Sequence, residues 1–124
     1  EGKLFFAFIT NDMIILTGFA YRPDYFENGD YDKETFRLND FPFVFHPLDA
    51  ARNVLARNGL KPIHEGAADG ASELMQAKIN ALNEVDFQLC IRYHAYICEK
   101  KECIGMTNHL LFVCENDQER SRVL

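Results

Sequence analysis

The chain has 124 residues, 48% of them hydrophobic, with 11 Phe and 5 Tyr, and a net charge of −6. That composition excludes a disordered chain, and no run approaches the ~20 apolar residues of a membrane span. Net acidity without a Lys/Arg cluster excludes the electrostatic footprint of direct nucleic-acid binding, and the length fits a single globular domain over 1–124.

"KLFFAFIT" and "MIILTGFAY" are β-rich runs separated by Asn11 and Asp12, which suit a two-residue hairpin turn. Both faces of that hairpin are apolar, which predicts a central position in a sheet. An acidic, aromatic-studded loop follows over 22–40, with a turn at "ENGD". "FPFVFH", 41–46, reads as a third strand, and Pro42 argues for an edge because it cannot donate to the ladder.

"PLDAARNVLARNGL" predicts a helix, with Pro47 in the first turn and Asp49 at the positive end of the dipole. Leu48, Ala51, Val54 and Leu55 share a face, and Gly59 ends the helix in the left-handed cap position, bringing Leu60 to Leu55. A second helix over about 72–83 buries Met75, Ile79 and Leu82 and stops at Asn83.

In "VDFQLCIRYHAYIC", 85–98, the odd-numbered positions are apolar or aromatic and the even-numbered ones mostly polar, the period of a half-buried strand. "CIGMTNHLLFVC", 103–114, then pairs back onto it. Cys98 opposite Cys103 sets Ile91 against Leu110 and Leu89 against Phe112, apolar on apolar. The tail over 116–124 is polar and frayed. The expected fold is α+β: an antiparallel sheet of about five strands in the order β-β-β-α-α-β-β, with two helices packed on one face.

The candidate sites follow from this layout. Between 24 and 40, six acids stand against Lys33 and Arg37, interleaved with aromatics that include Phe36. Tyr25, Phe26, Asp30, Tyr31, Asp32 and Glu34 are the candidate partner-binding residues, the aromatics as anchors and the acids to steer a basic protein surface. The alternative is a small enzyme or sensor. There the Gly-rich stretch 64–72 holds a phosphate or carboxylate through His64, Gly66, Gly70 and Ser72, with Arg92 and His109 as further cations.

That stretch has neither the P-loop nor the dinucleotide spacing, so no cofactor is expected, and no catalytic residue is assigned. Calcium binding in 22–40 lacks the EF-hand pattern. On a strand, His94 and Cys98 lie ~13 Å apart, too far to share a metal. Cysteines at 90, 98, 103 and 114 show no metal-site spacing, and the start shows no secretion signal. Both point to a reducing, cytoplasmic setting. The primary expectation is a small, acidic, soluble, non-catalytic binding domain of inhibitor or adaptor type, not associated with membranes. A sheet edge or face offers a route to homo-oligomers.

Overall fold

A computed structural model describes residues 2–22, 24, 31–40 and 42–116. Its elements are β1 (Leu4–Ile9), α1 (Asp12–Tyr21), β2 (Tyr31–Asp32), β3 (Arg37–Leu38), α2 (Leu48–Arg57), β4 (Leu60–Ala67), α3 (Gln76–Asn80), α4 (Glu84–Ile97) and β5 (His109–Asn116). The α+β class holds. Five antiparallel strands are described, divided between a sheet in the order β1-β5-β4 and the pair β2-β3.

Strand β5 is the centre of the larger sheet, and its alternation decides the core. Leu110, Phe112 and Cys114 are each fully buried and point at one face, while His109 and Leu111 point away, both exposed. Ala51 and Leu55 of α2 pack onto the buried row, and Phe6, Phe8, Leu48 and Leu60 close around it. Phe8 meets Phe112 edge-on at 5.6 Å between centroids. Arg52 clamps α2 to β4 through a forked pair with Glu65, with Nε to Oε1 at 3.0 Å and Nη2 to Oε2 at 2.5 Å. A smaller cluster of Ile15, Leu38 and Phe45 ties α1 to the β2-β3 hairpin.

Strand β1 and helix α2 cover the predicted residues, but β1 is an edge strand and not a central one, because only β5 pairs with it in the sheet, and Leu4 and Phe5 are exposed at 44% and 68%. Gly59, at φ 69°, ends α2 in the left-handed region, and Leu60 joins the cluster that holds Leu55. Several other elements differ from expectation. "MIILTGFAY" is helix α1, not the return strand of a hairpin. Asn11 is not a turn residue but is 2% exposed inside the protein, and Asp12 opens the helix. "FPFVFH" makes no strand among the described residues. It contributes one parallel bridge, Thr10 to His46, with His46 N donating to Ile9 O at 2.9 Å. Pro42 and the capture of Phe45 N by Asp40 Oδ1 at 3.2 Å leave little backbone for a ladder.

The largest correction concerns 85–98, which is helix α4 rather than a strand. The predicted pairing with 103–114 therefore does not exist, and Val85, Phe87, Leu89, Ile91 and Tyr93 are exposed rather than buried. Two physical facts outweigh the alternation. The helix start is locked reciprocally: Asn83 Oδ1 accepts from Asp86 N at 2.9 Å, and Asn83 Nδ2 donates to Asp86 Oδ2 at 2.8 Å. And β5 has no edge to offer, because β1 and β4 occupy both.

Asn83 thus begins a helix instead of ending one. The expected helix over 72–83 shrinks to α3 after a run of turns, and Met75 and Leu82 are exposed at 50% and 39%. Residues 60–67, which carry part of the predicted anion loop, form β4, a sheet-edge strand with a register shift between Pro62 and His64. Cys98 and Cys103 flank the turn after α4, and both are free. The "ENGD" turn and the tail beyond 116 lie outside the described residues.

Candidate functional site

The described part of the acidic loop is a tight hairpin, with Tyr31 paired to Leu38 and Asp32 to Arg37. Asp32 closes its own turn: its Oδ1 accepts from Glu34 N at 2.8 Å and Thr35 N at 3.0 Å. The amides of Thr35 and Glu34 hold the Asp32 carboxyl below its ordinary pKa.

The main polar tie between the hairpin and the body is the Asn11 side chain. Buried Asn11 donates from Nδ2 to Phe36 O at 2.7 Å and accepts at Oδ1 from Leu38 N at 2.9 Å. It replaces a missing neighbour strand with an amide that mimics backbone. Arg37 Nη1 adds a bond to Phe45 O at 3.2 Å. Between these ties Phe36 is held at φ 54°, a conformation that a bulky residue seldom adopts, and its side chain is 59% exposed. Phe43 and Val44 are similarly exposed, at 57% and 55%.

The predicted partner-binding residues divide accordingly. Tyr31 packs against the Ile15–Leu38–Phe45 cluster, Asp32 is committed to its turn, and Glu34 is exposed. Tyr25, Phe26 and Asp30 lie outside the described residues. Two important residues were missing from the predicted binding set: Phe36, counted only among the interleaved aromatics because its strained backbone leaves no sequence signal, and Asn11, read as a hairpin-turn residue because its turn-like chemistry is identical to that of a buried clamp.

The residues of the alternative anion site fall on three elements. His64 and Gly66 lie on β4, where His64 Nδ1 is 3.3 Å from Glu99 Oε1. Gly70, at φ +55°, turns the chain beneath the His94 ring, and Ser72 N donates to Asp69 O at 3.1 Å. Arg92 is exposed on α4. His109 joins a hub around buried Thr107. Thr107 Oγ1 accepts from Gly70 N at 2.9 Å and from Asp69 N at 3.3 Å, and donates to Asp69 Oδ1. Asp69 Oδ2 lies 2.7 Å from His109 Nδ1, and Oδ1 accepts from His109 N at 2.9 Å. The loop amides that would cradle an anion are thus engaged by the protein's own hydroxyl. Gly70 and His109 come together, whereas Arg92 has no described contact with them. A small apolar cleft of about 190 Å³ lies beside the hub, between Gly66, Ala67, His94, Cys98, Leu111 and Val113. It is below the ~300 Å³ at which ligand pockets usually begin.

Burial pushes the Asp69 carboxyl up, but hydrogen bonds from Thr107 and His109, together with the His109 charge, outweigh it and bring it below its ordinary value. A depressed folded pKa stabilises the protein above the unfolded value of about 3.9 and loses that stabilisation as pH falls through the folded value. Asp69→Asn is therefore expected to be less stable than wild type at neutral pH, with the gap narrowing below about pH 4. Urea midpoints across that range test this, and a gap independent of pH would contradict it.

His94 and Cys98 lie one turn apart on the helical run that ends at Cys98, not ~13 Å apart as on a strand. Among the described residues no group of three or more His, Cys, Asp or Glu could hold a metal, and no helix is long and apolar enough to cross a membrane. Comparison with family models and with curated proteins gives no match.

Proposed function

We propose that this chain is a small acidic, non-catalytic protein-binding domain that engages a basic protein surface through its 22–40 segment. The observation that carries the reading is Phe36, displayed on a hairpin that Asn11 clamps from below, within the acidic 22–40 segment. A large apolar ring displayed in solvent does nothing for the fold, yet it supplies a binding anchor whose backbone ordering cost has been met in advance. Glu34 beside it, with the other acids of the segment, steers a cationic partner. The four free cysteines support a reducing, cytoplasmic setting for this reading. The engaged amides around Thr107 weigh against the phosphate- or carboxylate-binding alternative.

Capture of basic proteins from a native lysate on the immobilised chain, at low and high salt, tests the reading. Phe36→Ala is expected to weaken capture roughly 30-fold, the effect of losing a central anchor of about 2 kcal/mol, without lowering the melting temperature. Glu34→Lys is expected to reduce low-salt capture and its salt sensitivity. Undiminished capture by both variants would refute the proposal.

A further inference from the structure

Helix α4 is 14 residues long, roughly 21 Å, and none of its residues is buried. It touches the body on one side near its C-terminal end. His94 Nε2 lies 3.0 Å from Ala68 O, and Ala67 N donates to Cys98 O at 2.8 Å. On the opposite side Val85, Leu89, Tyr93 and Tyr96 line up at helical spacing, exposed at 78%, 59%, 61% and 65%. A contiguous apolar stripe of this kind on a soluble domain marks an interaction surface.

The pattern of the stripe selects its partner. Within the helix it is symmetric about Leu89, with Val85 and Tyr93 four residues to either side and Tyr96 extending the stripe at the C-terminal end. Turning the helix end for end about a two-fold axis through Leu89 lays the stripe on itself. Leu89 then meets Leu89 of a second copy, and Val85 lies level with Tyr93. A self-complementary patch is what an isologous interface requires.

Charge agrees with this orientation. Glu84 and Asp86 occupy the N-terminal end. Arg92 lies in the second half, and Lys100 follows, its Nζ 3.0 Å from Tyr96 OH and 4.1 Å from the ring centroid. Antiparallel pairing about Leu89 sets Asp86 of one helix level with Arg92 of the other and opposes the two dipoles. Parallel pairing would align like charges. We propose that α4 is the interface of an antiparallel homodimer whose two-fold axis passes through Leu89.

Sedimentation equilibrium of the full chain over a range of concentrations is expected to show a monomer–dimer equilibrium. Leu89→Asp is expected to raise the dissociation constant at least about tenfold, the loss of a central contact. Because Leu89 is exposed, the far-UV circular dichroism of that variant should not change. Cysteine cross-linking reads the register, with Cys90, Cys98 and Cys103 replaced by Ser. Leu89→Cys places two thiols on the axis, within the ~4.4–6.8 Å Cα range of a disulfide, and should cross-link rapidly. Val85→Cys places them ~12 Å apart along the pair and should not. A monomer at every concentration, a dimer indifferent to Leu89→Asp, or equal cross-linking at 85 and 89 would overturn the proposal.

Discussion

Phe112→Ala is expected to destabilise the protein by about 3–5 kcal/mol, as for other fully buried aromatics cut to a methyl group. Phe112 is 0% exposed on the central strand, with Leu110 and Cys114 in the same buried row and Phe8 edge-on against its ring. The site is walled by α2 on one side and by the sheet backbone on the other, so collapse into the vacated volume is limited and the cavity cost adds to the lost transfer energy. Against a typical total of about 5–15 kcal/mol, this is roughly a fifth or more of the stability of a single domain. Urea unfolding should show a lower midpoint with an unchanged slope. A loss under about 1 kcal/mol would mean that Phe112 is not the centre of the core.

Asn11→Ala is expected to cost about 2–6 kcal/mol, because it leaves the part-buried Phe36 O and the buried Leu38 N without the partner that satisfies them, each orphan costing about 1–3 kcal/mol. Its second effect separates a clamp from ordinary packing. Amides of the 31–38 hairpin should lose hydrogen-exchange protection well before those of β5, since the hairpin reaches the core through Leu38 and a few side-chain bonds. Asn11→Asp should be no milder. It keeps the acceptor for Leu38 N but turns a carboxylate oxygen toward Phe36 O, at a position only 2% exposed. If both variants unfolded at the wild-type midpoint with the hairpin still protected, the clamp would be refuted, and with it the rigidity on which the proposed display of Phe36 depends.

The elements legible in the sequence are those whose local chemistry and tertiary environment agree. Helix α2 has one apolar face, an acid in its first turn and Gly59 at the cap, and all of these lead to the same structure. Strand β1 is a short β-prone aromatic run that pairs along its whole length with β5. The α1 run was ambiguous because both its faces are apolar, which removes the periodicity that separates strand from helix. The signal that begins α4, Asn83 followed by Asp86, was present but competed with an unbroken alternation over 85–98. Among the candidate site residues, acid content and aromatic spacing were legible, but which aromatic faces water was not. Tyr31 and Phe36 look alike in the sequence. One packs on the core and the other is held out of it by hydrogen bonds to residues 11 and 32.

The sequence alone determined that the chain folds as an acidic α+β domain with a core rich in aliphatic and phenyl groups, because composition and short-range propensity decide how much apolar surface must be hidden. The tertiary structure decided which surface that is. With β1 and β4 on its two edges, β5 has no room for the 85–98 segment, which takes its hydrogen bonds internally as a helix and leaves its apolar row facing water. Edge occupancy is a property of the whole sheet, and it outranked the strand-like alternation of the segment itself.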